Sequence, residues 1–227
     1  MTRAWNEVFN FQSGRQVVSK MKRSTSFTLL TKASLLCILF SHQAAAEFPG
    51  APDDRAGQFI RLSNTLDDPN RGFCIDIPGH MQGTDLNAVI NVHTCKDGFW
   101  NYDERFQPEV LSSKEVLYMP AFGVCLTATA LGPGADLKVK PCDPSQPNQR
   151  WQMDGGQLKS RFSPELCLTV DSAPSEVSIG TRNHPVRHLV RPLTLELCEE
   201  GSIYQQWQFT APSDKVGIRY PDGGVRN

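Results

Sequence analysis

The chain has 227 residues, 39% of them apolar and 21% charged, with seven cysteines and a formal net charge of −1. That length suits one domain or two small ones, and a single short apolar run is too little for a membrane-embedded protein. The near-zero charge argues against a nucleic-acid partner, which would call for a basic excess.

Residues 1–46 read as an export signal, with Met21 as an alternative start. A basic start at Met21-Lys22-Arg23 leads to the apolar run from Ala33 to Phe40 and then to Ala44-Ala45-Ala46, with cleavage expected after Ala46. This segment carries Arg3, Arg15, Lys20, Lys22, Arg23 and Lys32 against Glu7 alone, so its removal leaves an acidic chain of net charge −6. The expected destination is secretion, or the periplasm if the source is bacterial. Residues 47–57 follow as a linker.

Six cysteines remain: Cys74, Cys95, Cys125, Cys142, Cys167 and Cys198. In an oxidising compartment an even set of this kind reads as three disulfides. No C-x-x-C pair exists and the histidines are not spaced with the cysteines, so no metal site is expected.

Three related segments then follow one another. Arg71-Gly72-Phe73-Cys74-Ile75-Asp76-Ile77 leads through Ile90-Asn91-Val92-His93-Thr94-Cys95 to Glu104-Arg105-Phe106. Phe122-Gly123-Val124-Cys125-Leu126-Thr127-Ala128 leads through Leu137-Lys138-Val139-Lys140-Pro141-Cys142 to Gln149-Arg150-Trp151. Glu165-Leu166-Cys167-Leu168-Thr169-Val170 leads through Leu193-Thr194-Leu195-Glu196-Leu197-Cys198 to Gln205-Gln206-Trp207. Alternation such as Leu137/Val139 and Leu193/Leu195/Leu197 has the period of a strand with one buried face, and no window sustains a helical period. A single unit of short strands and turns cannot shelter its own apolar face. Three of them call for a closed all-β solution, a β-trefoil with pseudo-threefold symmetry. Trp151 and Trp207 are expected in the core, and Gln149 and Gln205 as ties to buried backbone groups.

These residues resemble the ricin B-type, or Gln-x-Trp, lectin domain. Gln149-Arg150-Trp151 and Gln205-Gln206-Trp207 are intact copies of its motif, and Glu104-Arg105-Phe106 is a worn one. The resemblance spans residues 58–211, with 212–227 as a loose tail. It implies one disulfide per repeat, Cys74–Cys95, Cys125–Cys142 and Cys167–Cys198. It also implies a carbohydrate site in the first repeat formed by Asp76, Asn91, His93, Asp103 and Glu104. A carboxylate and an amide address vicinal hydroxyls there, while a ring covers the apolar sugar face. His93 stands where the family has a larger ring, with Trp100 or Tyr102 as substitutes, and Asp103-Glu104 stands for Asn-Gln. In the other repeats Thr127 and Thr169 take the Asp position, Lys138/Lys140 and Thr194/Glu196 the polar and ring positions, and Asp171 is a substitute acid.

The third repeat holds an insertion, Thr181 to Pro192, in which three Arg and two His cluster. It reads as a solvated loop or as a docking site for an acidic partner. No catalytic constellation or cofactor motif is present, so the expected function is binding, with glycans or glycoproteins as partners. The plan of signal, linker, one trefoil and tail, with Leu193 to Cys198 and Trp207 before Ala211-Pro212, also resembles the A and C subunits of bacterial cytolethal distending toxins. That implies delivery of another toxin subunit as an alternative. An inhibitor or scaffold that ignores sugars is a further alternative.

Overall fold

In the computed structural model the alternating segments form strands, four to each repeat. The structure describes residues 57–97, 100–183 and 185–212, with the short strands Ile218–Arg219 and Val225–Arg226. The expected signal peptide, nearly all of the linker, His184 and most of the tail lie outside the described residues.

The first repeat contributes β1 (Gln58–Leu62), β2 (Phe73–Asp76), β3 (Asn91–Thr94) and β4 (Arg105–Phe106). The second contributes β5 (Tyr118–Met119), β6 (Val124–Ala128), β7 (Ala135–Pro141) and β8 (Trp151–Asp154). The third contributes β9 (Gln157–Ser160), β10 (Leu166–Val170), the insertion strand β11 (Glu176–Val177), β12 (Leu189–Leu197) and β13 (Trp207–Thr210). The two inner strands of each repeat form an antiparallel hairpin in one common register. Cys74 faces His93, Cys125 faces Lys140 and Cys167 faces Glu196. The first cysteine therefore always lies opposite the residue two before the second. Each hairpin is closed by its own disulfide, Cys74–Cys95, Cys125–Cys142 and Cys167–Cys198, spanning 21, 17 and 31 residues. Constraining loops of that size stabilises by ~3 kcal/mol per bridge.

Closure comes from the first and last strands of the trefoil. β1 pairs with β13, setting Leu62 against Trp207, and β12 reaches both β7 and β3. Ile60, Leu62, Phe73, Ile75, Leu126, Leu137, Leu168 and Leu195 meet in one core with Phe106, Trp151 and Trp207. Each side chain of this size stabilises by about 1.5–3 kcal/mol when fully buried. The fold is the β-trefoil expected from the sequence. Both tryptophans are core residues, and each donates its indole N–H at 3.0 Å to a hairpin carbonyl, Leu126 for Trp151 and Leu168 for Trp207.

One α-helix interrupts the strands. α1 (Pro108–Lys114) links the first two repeats, begins with Pro at its first turn and ends where Glu115 turns left-handed at φ 56°. At seven residues it offers only Val110 and Leu111 to the interior, too few to print a helical period. Among the described residues, no helix is long and apolar enough to cross a membrane.

Candidate functional site

The repeat motif sets one polar tie per repeat. Gln149 is 2% exposed; its Oε1 accepts from the Asp143 amide at 2.7 Å, and its Nε2 donates to Thr127 Oγ1 and the Pro141 carbonyl, both at 3.0 Å. Gln205 repeats the pattern with the Glu199 amide at 2.7 Å, Thr169 Oγ1 at 2.9 Å and the Leu197 carbonyl at 2.8 Å. In both repeats the partners sit one after the second cysteine, two after the first and one before the second. A buried amide satisfied on both sides fixes the turn that follows the hairpin.

The first repeat breaks this tie. Glu104 replaces the glutamine and Asp76 replaces the threonine, so two acids stand where a donor and an acceptor stand elsewhere. Glu104 Oε2 still accepts the backbone amide after the second cysteine, that of Lys96, at 2.8 Å. Its Oε1 is buried without a hydrogen-bond partner. The Thr94 carbonyl, left without an amide donor, is taken by Nδ1–H of His93 at 2.8 Å. That same nitrogen lies 3.6 Å from Glu104 Oε1.

Lys96 compensates part of the charge. Its ammonium donates to Asp76 Oδ1 and to Asp103 Oδ2, each at 2.7 Å. Asp76, Lys96, Asp103 and Glu104 are all at most 4% exposed, so three carboxyls face one ammonium out of water. Burial pushes Asp76 and Glu104 well above the usual carboxylate range, against the pull of Lys96, and raises Asp103 to about 6. Burial would lower Lys96, yet Asp76, Asp103 and Glu104 together raise it, and it remains charged. Burial, followed by the charge of Lys96, holds His93 well below its ordinary value, so it is neutral.

The equivalent places in the other repeats are hollows. The second, of about 530 Å³, is lined by Thr127, Lys138, Lys140 and Asn148. Its acid, Asp143, is turned into its own loop by bonds from Ser145 and Gln146. The third, of about 490 Å³, is lined by Thr169, Asp171, Thr194, Glu196, Ser202 and Tyr204. Asp171 is exposed, Glu196 and Tyr204 are half-buried, and Glu196 Oε1 accepts from Thr194 Oγ1 at 3.0 Å. This hollow brings together carboxylates, hydroxyls and a phenol ring, the groups that address sugar hydroxyls and an apolar sugar face.

The family model described as the ricin-type beta-trefoil lectin domain matches residues 63–188, more than half of the chain. The chain belongs to this family. Solved structures similar to this ricin-type chain include the C-terminal domain of an earthworm lectin, a mutant in complex with 6'-sialyllactose. It is 14% identical over 67% of this chain and 97% of that one, with a TM-score of 0.45. The beta-trefoil lectin of the Vibrio vulnificus hemolysin/cytolysin, with N-acetyl-D-lactosamine bound, is 21% identical over 69% and 94%, with a TM-score of 0.42. The designed three-fold symmetric protein ThreeFoil is 14% identical over 68% and 98%, with a TM-score of 0.45.

Of the five first-repeat residues singled out in this ricin-type sequence, four converge. Asp76, His93, Asp103 and Glu104 gather around Lys96, a residue the sequence reading passed over. Asn91 sits beside them, opposite Asp76 in the hairpin, half-buried and with Oδ1 lacking a partner. His93 presents no open face: it is 6% exposed and meets the ring of His188 edge-on at 4.9 Å. The rings toward solvent are a T-stacked row, His80 on Trp100 and Trp100 on Tyr102, with centroids 5.4 Å apart in both pairs.

The basic insertion of the third repeat is divided, with its C-terminal part built into the sheet and Arg182 and Arg187 exposed. Its strand β12 pairs with β3, setting Val190 against His93, and Leu189 N–H donates to Thr94 Oγ1. Arg191 is 5% exposed and bonds Ser175 Oγ, the Asp171 carbonyl and Asp67, with its guanidinium 5.7 Å from the Phe73 ring centre. Burial raises Asp67, but hydrogen bonds from Ser175 and Arg191 together outweigh it and bring it down to about 2. Only Arg182 and Arg187 of the three-arginine cluster face solvent. Arg191→Ala is expected to cost about 2 kcal/mol through these charge-assisted bonds, whereas Arg182→Ala should shift the urea midpoint by nothing measurable.

Proposed function

We propose that this ricin-type trefoil is a carbohydrate-binding protein that acts by binding alone, and that its third-repeat hollow is the recognition site. The observation that carries the reading is the contrast between repeats. The third hollow leaves Asp171, Glu196 and Tyr204 accessible, whereas Asp76 of the first repeat is 2% exposed and already holds an ammonium. Tyr204 would lie under the sugar ring, and the carboxylates would accept from paired hydroxyls. Glycan-array binding by the purified protein should fall about tenfold in Tyr204→Ala, ~1.4 kcal/mol of affinity. Unchanged binding by that variant would remove the third repeat from consideration.

A second reading keeps the first repeat, with Asp76, Asn91, His93, Asp103 and Glu104 as the sugar-facing set. The row of His80, Trp100 and Tyr102 supports it, because these rings are only partly covered. Loss of glycan binding in Asn91→Ala or Trp100→Ala, with Tyr204→Ala unaffected, would favour it. Export is proposed from the three disulfides, which form and persist in oxidising compartments. As a delivery subunit of a distending-type toxin the protein would co-purify with a nuclease-like partner. A scaffold or inhibitor would give no glycan signal at all.

A further inference from the structure

The charge arithmetic of the first repeat is incomplete as it stands. Asp76 comes from β2, His93 from β3, Lys96 from the turn after it, and Asp103 and Glu104 from the turn before β4. One atom each of Asp76, His93 and Glu104 lie within 4.8 Å of one another. Other titratable and charged groups surround the cluster: His188, from the insertion, packs on His93; Arg71 is paired with Asp68; Arg105, next to Glu104 on β4, donates Nε–H to Asn101 Oδ1 and lies over the Tyr102 ring; His80 stacks on Trp100 and is lowered by burial and by Lys96. Three ionised carboxylates with one ammonium would leave two negative charges uncompensated out of water, which proteins avoid by neutralising the group.

The pseudo-threefold symmetry points to a place for one proton, which would leave a single uncompensated negative charge in place of two. In the other two repeats the position of Glu104 Oε1 is a nitrogen that donates toward the residue two after the first cysteine. In the first repeat that acceptor is Asp76. A carboxylic acid has the shape of a primary amide and, when protonated, one donor to offer.

We propose that the first repeat is a proton-binding site, in which Glu104 is held as a carboxylic acid and donates to the Asp76 carboxylate in place of the glutamine amides of the other repeats. Asp76 then accepts from Lys96 and Glu104 together, and Lys96 bridges to Asp103. The proton is bound in the folded repeat and released when it unfolds, so folding takes up a proton. With the folded-state value raised above that of the unfolded chain, the stabilisation is complete below the ordinary glutamate value. It declines as pH rises from there toward the folded-state value.

The test compares the full chain with Glu104→Gln, which supplies the amide donor permanently. Urea unfolding from about pH 5 to about pH 8 should show the variant gaining on the wild type as pH rises. In that window the ratio of their unfolding constants should grow toward about tenfold per pH unit, the slope of one proton. A variant that loses ground as pH rises, or is less stable throughout, overturns the proposal, because Glu104 would then be an ionised acceptor. A second measurement needs no variant. Protein labelled at glutamate carboxyl carbon should show, at about pH 7, an infrared carbonyl band of a protonated acid that Glu104→Gln lacks. Absence of that band overturns the proposal. So does a rise in wild-type melting temperature on adding zinc or calcium chloride that Glu104→Gln fails to show, since a metal ion would then occupy the proton's place.

Discussion

Lys96→Met is expected to destabilise the domain by about 3–5 kcal/mol, the loss found when one partner of a buried ionic cluster is removed. The methionine fits the volume of the lysine stem, so packing is nearly conserved and the effect isolates the ammonium. Without it, Asp76 and Asp103 lose their 2.7 Å donors. The three acids must then take up further protons, so the loss should be larger at about pH 8 than at about pH 5, with the same sign for Asp76, Asp103 and Glu104. The surface pair Lys159–Asp154 has the same 2.7 Å geometry, yet Lys159→Met should cost under ~1 kcal/mol because water solvates the exposed Asp154. Urea midpoints at constant m separate the two cases.

The same reasoning predicts a rescue. Giving the first repeat the polar set of the second means Asp76→Thr, Lys96→Asp, Asp103→Asn and Glu104→Gln together, which rebuilds the Gln149 pattern. Most of the Lys96 penalty should disappear in that background, because the acids that required the ammonium are gone. A quadruple variant as unstable as Lys96→Met would mean that the lysine matters for its packed stem and not for its charge.

Much of the fold was legible in the sequence because closure depends on features that repeat. The hairpin register follows from the cysteine spacing and the alternation, and all three repeats share it. The helix α1 occurs once and is too short to print a period. The candidate site was legible as a set of positions but not as an arrangement. Asp76, His93, Asp103 and Glu104 were recognisable by their places relative to Cys74 and Cys95, whereas Lys96 was not, since the family pattern assigns nothing to the residue after the second cysteine. A signal existed. That position is acidic in the other repeats, Asp143 and Glu199, and basic only where Asp76 and Glu104 replace Thr and Gln. Charge compensation across repeats, and not within one, was the missing comparison. The basic insertion was legible only in part. Sequence proximity grouped three arginines, but the pairing of β12 with β3 turns Arg191 inward and leaves Arg187 outside.

Trp207→Ala is the other large effect, expected at about 3–5 kcal/mol for removal of a buried indole. Trp207 is 2% exposed and begins β13, the strand that closes the molecule against β1, while its backbone N–H donates to the Gly156 carbonyl at 2.7 Å. Gly156 closes that turn with φ +82°, a conformation that residues with a side chain rarely adopt. Trp207→Phe divides the loss into its parts. It keeps most of the apolar volume but leaves the Leu168 carbonyl without the indole donor at 3.0 Å, a cost of about 1–3 kcal/mol. Nature has made the corresponding exchange in the first repeat, where Phe106 is fully buried and the repeat still folds. Trp207→Phe should therefore leave a cooperative, native-like trefoil with a lower urea midpoint, and Trp207→Ala a domain close to its unfolding threshold. Equal losses in the two variants would place the contribution of Trp207 in its N–H bond and not in filling the core.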